Sequence, residues 1–393
     1  MIRRAAATCE MPDDTWVPLS DDTDFPLENL PFGIVRPAGE QARAVVRIGD
    51  QVLDLAAAGI APELTAQPTL NALMASGRGA EVRGQAAAVL RGLPRPDLVR
   101  PVADVAVLLP VAVGDFVDFY SSIEHATNLG RIFRPEGDPL PANWRYLPAG
   151  YHGRSGTIVT SGTPITRPRG LIPDPRDGRP RLCPTRALDF ELEVGFFVGG
   201  DPATRIAADA ADAHIFGVVL CNDWSARDIQ RFEYQPLGPN LGKSFATTIS
   251  PWVVTLDALR PFLGAPPPQD PEPDPYLRTA RPFALDLHLE VERNDTTITT
   301  TTFAGMYWTF AQQLAHITVN GASVRAGDFF ASGTVSGPAS SERGSIIEQI
   351  ADGTADDYLA DGESLTLRGW CGGAGDPRVG FGEARGTVVG EED

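Results

Sequence analysis

The chain has 393 residues, 42% hydrophobic and 21% charged, with a formal net charge of −18 at pH 7. That make-up excludes disordered and fibrous classes and is long enough for two or three domains with a large core. So acidic a chain argues against nucleic acid or an anionic membrane as partner, and an anionic ligand would need local positive groups.

Met1-Ile2-Arg3-Arg4-Ala5-Ala6-Ala7 starts basic, but acidic and polar residues follow at once, so no signal peptide is expected. The most apolar run, Val105 to Val113, is broken by Pro110 and falls short of the ~18–20 apolar residues of a membrane helix. Cys9, Cys183, Cys221 and Cys371 lie far apart with no CxxC pair, as expected of reduced, mostly buried thiols in a cytoplasmic protein. The 40 glycines and 35 prolines interrupt almost every apolar run, which predicts a mostly-β protein with a few helices.

Within residues 1–110, Val45 to Leu55 reads as a hairpin around Gly49-Asp50, and Leu70 to Leu93 carries apolar residues at helical spacing. A linker-like stretch runs from Arg95 to about Asp104. The larger remainder, 111–393, is more strand-rich. Leu285 to Glu292 alternates strictly and turns at Arg293-Asn294-Asp295 into a Thr296–Thr302 strand, a hairpin with one wet face that puts His288 in solvent. Tyr307 to Thr318 predicts a helix. The proline-rich patch from Pro266 to Pro275 is a stiff surface excursion.

Four segments carry residue types suited to chemistry. Asp115 to His125 joins carboxylates, Tyr120 and a histidine directly after an apolar strand. His125 suits a general base or a metal ligand, and the same residues suit a helix start capped by Ser121 or Ser122. In Leu188 to Phe197, alternation puts Glu191 and Glu193 on one strand face, a pair that fits a hard divalent cation or a solvated face. An apolar strand delivers Asp223 at its end, with Arg227 and Gln230 following on one helical face and glycines around Lys243. For Arg227 and Asp228, surface salt bridging is the competing reading. Ala331 to Pro338 offers hydroxyls and glycines that shape either a pocket or a turn, ten residues before Glu348. HExxH, GxSxG, P-loop and GxGxxG signatures are missing.

Together these segments resemble the fumarylacetoacetate hydrolase family. The likeness is carried by Asp118-Phe-Tyr-Ser-Ser-x-x-His125-Ala-Thr-Asn128, Pro148-x-Gly-Tyr151-His152-Gly-Arg154, Glu191-Leu192-Glu193, Asn222-Asp-Trp-Ser-Ala-Arg-Asp-Ile-Gln230, Pro236-Leu-Gly-Pro-x-Leu-Gly-Lys-Ser-Phe245, Ala331-Ser-Gly-Thr334 and Gly380-Phe-Gly382. It extends to Asp24–Pro31 and Ile48–Leu55, so it runs almost end to end. The resemblance implies a small N-terminal SH3-like barrel (1–110) followed by a large mixed β-sandwich roll (111–393) with a few helices, assembled as a homodimer. It implies a divalent cation, Mg²⁺ or Ca²⁺ with Mn²⁺ also suitable, held by Asp118, Glu191, Glu193 and Asp223 with Lys243 and Thr247 beside it. It implies His125 as general base oriented by Glu348, with Arg227, Gln230 and Lys243 stabilising developing negative charge. Tyr120, Arg134, Tyr151, Gln230, Tyr234 and Thr334 match substrate-binding positions.

The activity implied is metal-dependent hydrolysis of a carbon–carbon bond in an anionic diketo acid, namely 4-fumarylacetoacetate. Two other readings share the scaffold: a related acylpyruvate hydrolase, decarboxylase or isomerase, and a catalytically silent metal- or ligand-binding protein.

Overall fold

The computed structural model describes residues 15–373, 375 and 377–390, so Met1–Ala7 and Cys9 lie outside the described residues. The first sheet comprises β1 (Phe32–Pro37), β2 (Arg43–Ile48), β3 (Gln51–Asp54), β4 (Val99–Pro101) and β5 (Val105–Leu108). It is antiparallel and barrel-like, in the order β4-β3-β2-β1-β5. The expected hairpin is β2–β3, turning through Gly49 at φ +53°. The stretch expected as a linker instead supplies β4, which pairs with β3, Val52 facing Arg100. A three-residue edge strand with two exposed residues carries no alternation to read. The helical stretch over 70–93, expected as one or two helices with its middle weakened by glycines, is two: α1 (Asn71–Ala75) and α2 (Gly79–Arg91). They break where Gly77 takes φ +66°, a left-handed turn that glycine adopts without steric cost.

Downstream come β6 (Phe116–Phe119), α3 (Ile123–Phe133), β7 (Gly150–His152), β8 (Ile158–Thr160), β9 (Leu192–Val198), β10 (Ile215–Asp223), α4 (Arg227–Glu233) and β11 (Thr247–Ile249). They are followed by β12 (His288–Arg293), β13 (Thr296–Thr302), α5 (Phe310–Thr318), β14 (Phe329–Ala331), α6 (Ile346–Asp352), β15 (Ser364–Cys371) and β16 (Val379–Val389). The central sheet runs β7-β6-β14-β9-β10-β11-β8, and a second sheet runs β13-β12-β15-β16 with Ile165–Thr166 at its edge. Helix α5 begins three residues later than the periodicity suggests, because Thr309 caps it in a reciprocal box with Gln312. The proline-rich excursion is tied down by Gln269, which donates to the Tyr307 carbonyl at 2.7 Å.

Leu192, Val194 and Phe196 of β9 and Leu220 of β10 pack against Leu289, Val291, Leu365 and Leu367 of the second sheet. The other face of these strands, with Phe197, Val219, Cys221 and Phe329, joins Phe32, Ile34, Leu73 and Met74 of the N-terminal unit in one hydrophobic cluster. Phe32 and Val253 exchange backbone hydrogen bonds of 2.9 and 2.7 Å across that seam. Strand β9 is therefore buried on both faces, and the solvated-face reading of its glutamates does not hold. The fold is mostly β, with helices in a supporting role, as expected.

Candidate active site

Strand register assembles the acidic residues. Asp118 of β6 lies opposite Ala331 of β14 and Tyr151 of β7, while Asp223 at the end of β10 lies opposite Thr247 of β11. Glu193 enters from β9 and Glu191 from the residue pair just before it. Ligand oxygens of Asp118, Glu191, Glu193 and Asp223 all lie within 4.8 Å of one another, and all four residues are buried. Gly333 donates its amide to Glu193 Oε2 at 3.1 Å. Gly333 sits at φ +78°, and a Cβ there would stand 2.2 Å from the Phe119 carbonyl, so only glycine brings this amide in.

The charges are partly compensated. Lys243 Nζ donates to Asp223 Oδ2 at 2.7 Å and to Glu191, and Asp223 also accepts from Tyr151 (3.0 Å) and Thr247 (3.1 Å). Burial opposes ionisation of Glu191, but the Lys243 ammonium and Arg227 guanidinium outweigh it and hold the carboxyl below its usual range. Lys243 is likewise disfavoured as a cation by burial and restored by Asp223 and Glu191, which raise it. For Asp118 and Glu193 the Lys243 ammonium is outweighed: burial first, then neighbouring carboxylates, push both well above the ordinary range. Asp118 Oδ1 and Glu193 Oε1 are buried without a hydrogen-bond partner among the described residues. Hard oxygen donors at this spacing, two of them unpartnered, fit a divalent cation such as Mg²⁺ or Ca²⁺.

Beside this centre lies a histidine–carboxylate pair. Ser122 caps α3 by accepting the His125 amide at 3.2 Å, as the capping reading of this segment expects. His125 Nδ1 is 2.7 Å from Glu348 Oε2. Glu348 also accepts from Ser345 (2.7 Å), Ser336 (2.9 Å) and Asn128 (2.9 Å). Burial alone would raise Glu348, yet His125 and these donors hold it at about 2. An ionised Glu348 accepts the Nδ1 proton and leaves the Nε2 lone pair free. Nε2 stands 3.9 Å from Glu191 Oε1, so the imidazole faces the acidic centre.

A 320 Å³ cavity opens onto both features. Tyr120, Arg134, Tyr151, Gln230, Tyr234 and Thr334 line it together with His125, Lys243, Asp118 and Glu191. The Tyr120 ring stands edge-on to His125, with centroids 5.5 Å apart, and the buried Thr334 hydroxyl has no partner among the described residues. Arg134 donates to the Pro139 carbonyl at 2.7 Å, which places its side chain at the cavity rim. Arg227 and Thr247 lie off the wall. Arg227 is buried behind Glu191, donating to it at 2.8 Å, to Asp189 at 2.7 Å and to Gln230 at 3.1 Å. It is thus neither a surface salt bridge nor an exposed donor. Asp228 is bonded to Thr185 and the Arg186 amide.

Three polar groups of the site escaped the sequence reading: Asp189, Ser345 and the Gly333 amide. Asp189 shares the alternation of Glu191 and Glu193, and Ser345-x-x-Glu348 has capping-box spacing, so both carried a signal. His288 is exposed and stacks on Trp370, and His316 bonds the Tyr276 hydroxyl at 2.9 Å, as bystanders.

The chain matches the family model of the fumarylacetoacetate hydrolase C-terminal domain over residues 116–389 and that of the fumarylacetoacetase N-terminal domain over 28–110. It is 44% identical to fumarylacetoacetase of Caenorhabditis elegans, over 95% of this chain and 99% of that one. It is 42% identical to the Homo sapiens fumarylacetoacetase, over 95% and 98%. Among solved structures, a fumarylacetoacetate hydrolase from Exiguobacterium antarcticum superposes with a TM-score of 0.57 at 19% identity, covering 92% of this chain and all of that one, which is a likeness of fold.

Proposed function

The chain belongs to the fumarylacetoacetase family, and from that premise we propose how its residues divide the work of hydrolysing 4-fumarylacetoacetate to fumarate and acetoacetate, the last step of tyrosine and phenylalanine breakdown. The reaction needs an activated water and a stabilised carbanion leaving group. Asp118, Glu191, Glu193 and Asp223 would hold the divalent cation, Mg²⁺ or Ca²⁺, with Lys243 and Thr247 steadying Asp223. When bound, that cation supplies Lewis-acid stabilisation of negative charge on the diketone oxygens.

The remaining roles fall to the chain itself. Ionised Glu348 keeps the proton on His125 Nδ1, so Nε2 takes a proton from water as that water attacks the fumaryl-side carbonyl. Lys243 Nζ and the Gln230 amide, both on the cavity wall, donate to the oxyanion. The carbon–carbon bond breaks, its electron pair leaves with the acetoacetate fragment, and the proton on His125 completes that fragment. Arg134, with Tyr120 and Tyr234 close by, holds a substrate carboxylate and supplies the local positive group that an acidic chain requires. Arg227 acts from behind, through Glu191 and Gln230. Tyr151 orients Asp223, and the unpartnered Thr334 hydroxyl is available to substrate.

The observation that carries this reading is the 2.7 Å His125–Glu348 contact facing a four-carboxylate centre across one cavity. Following loss of fumarylacetoacetate absorbance, with chelator and with Mg²⁺ or Ca²⁺ restored, tests it. Cation-dependent formation of fumarate and acetoacetate, lost in His125→Ala, is expected. Wild-type turnover by His125→Ala would overturn the mechanism, and turnover of an acylpyruvate alone would reassign the substrate.

We also place the protein in the cytoplasm as a homodimer of two-domain chains (1–110 and 111–393). No helix among the described residues is long and apolar enough to cross a membrane. The two family matches support the division. Leu171 and Leu182 face each other across the exposed Arg169–Pro184 hairpin, with Leu237 and Leu241 also exposed, and suit burial against a second copy. Light scattering giving a single-chain mass would refute the dimer.

A further inference from the structure

Asp189 belongs to none of the roles above, yet it is fully buried and every lone pair it carries is engaged. Oδ1 accepts the Ile346 amide at 2.7 Å and the Phe190 amide at 2.8 Å. Oδ2 accepts Arg227 Nε at 2.7 Å and the Ile347 amide at 3.1 Å. Four N–H groups thus converge on one side chain. Only a carboxylate accepts four; an amide in its place would turn its own NH₂ toward two of those donors.

Three of those donors come from two functional arms. Ile346 and Ile347 open α6, whose third residue is Glu348, the partner of His125. Arg227 carries its fork onward to Glu191 Oε1 (2.8 Å), and the same oxygen lies 3.9 Å from His125 Nε2. Hydrogen bonds run from Asp189 through Arg227 to Glu191 on one side and through the first turn of α6 to Glu348 and His125 on the other, and the two ends, Glu191 Oε1 and His125 Nε2, face each other across 3.9 Å. We propose that Asp189 is a positioning residue for catalysis, a single buried anion that sets the spacing between the base pair and the acidic centre by clamping Arg227 on one side and the Glu348 helix on the other. This rests on the roles given to His125 and Glu348 above and adds what holds them in register with Glu191.

A merely structural Asp189 would contribute independently of Arg227, whereas a positioning residue that joins the two arms is coupled to it. The test is a double-mutant cycle on the purified full chain loaded with Mg²⁺ or Ca²⁺. Asp189→Asn should lower kcat about 10- to 100-fold with KM changed less than about twofold, the scale of a small misplacement of reacting groups. Arg227→Gln should lose a similar factor, and the double variant should lose clearly less than the product of the two, since both substitutions release the same clamp. A wild-type kcat in Asp189→Asn, or losses that multiply in the double variant, overturns the proposal. If Asp189→Asn does not fold, Arg227→Lys decides: it keeps the charge but not the fork, so a comparable loss supports the clamp and a wild-type kcat refutes it.

A spectroscopic readout separates this inference from the activity itself. With ¹⁵N-labelled histidine, the Nδ1–H signal of His125, identified by its loss in His125→Gln, should shift or broaden in Asp189→Asn at unchanged far-UV circular dichroism. An unmoved signal counts against the clamp even if fumarylacetoacetate is not the substrate. Absence of wild-type turnover strikes the functional reading instead.

Discussion

Replacing Glu193 with Gln should stabilise the cation-free protein while destroying its response to cation. Glu193 is buried beside three other carboxylates, with ligand oxygens no more than 4.8 Å apart. At an effective dielectric of about 20, each such like-charge pair costs about 3 kcal/mol. Glu193 relieves part of that cost by holding a proton, since burial and its neighbours push it well above 4.5. The sign follows from linkage: an acid raised by folding favours the native state below its unfolded value near 4.5 and loses that advantage as pH climbs toward the folded value. Gln carries no charge at any pH, accepts the Gly333 amide through its carbonyl, and offers its NH₂ toward the unpartnered Asp118 Oδ1. In chelator at pH 8, Glu193→Gln should therefore exceed the wild type by about 1–3 kcal/mol, a few °C in Tm, with little difference at pH 5. With cation at about 100 times its Kd, the wild type gains about 2.7 kcal/mol that the variant does not, which closes or reverses the gap. Melting curves in chelator and in Mg²⁺ or Ca²⁺ measure both limbs. A variant less stable than the wild type at pH 8 in chelator would refute the view that these carboxylates are held under mutual repulsion.

Glu348→Gln should lower kcat about 10²- to 10⁴-fold with little change in KM, because Nδ1 loses the anion that fixes its proton. Glu348 is held at about 2 against 4.5, so it contributes about 3 kcal/mol that is present above pH 4.5 and lost as pH falls toward 2. Acid unfolding should accordingly show a shallower pH dependence in the variant. Arg134→Gln removes one charge-assisted contact and should raise KM about 10- to 100-fold at nearly constant kcat, which steady-state kinetics reads directly. Gly333→Ala forces a Cβ to within 2.2 Å of the Phe119 carbonyl at a left-handed φ, so a loss of at least about 2 kcal/mol in urea melts and weakened cation binding are expected.

Short-range patterns carried the β-rich class, the β2–β3 hairpin, the Thr296–Thr302 strand and the Ser122 cap, since each depends on neighbours within a few residues. Long-range information was missing. Alternation puts Glu191 and Glu193 on one face but does not say whether water or another layer covers it, and here the N-terminal unit packs on that face, against Phe197 and the Cys221 that pairs with Glu193. Strand β4 was unreadable because its partner lies some fifty residues away and two of its three residues are exposed. The break at Gly77 was visible as a glycine, but a glycine within a helical pattern does not announce a left-handed turn. Residues 118, 125, 191, 193, 223 and 348 became a site through family likeness, while Asp189 and Ser345, lying outside the motifs, carried only local patterns whose meaning the hydrogen bonding supplies.

The seam between the N-terminal sheet and the central sheet has a consequence for how this chain can be cut. Phe197, Val219, Cys221 and Phe329 rest against Phe32, Ile34, Leu73 and Met74, on strands whose adjoining residues hold Glu193 and Asp223. Cleaving near residue 110 and discarding the N-terminal fragment would bare those four apolar side chains, at roughly 1.5–3 kcal/mol for each large one. The fragment beginning at residue 111 would carry every catalytic group and yet lack the backing against which its strands are braced. An N-terminal fragment added back in trans should restore it, much as a keystone restores an arch.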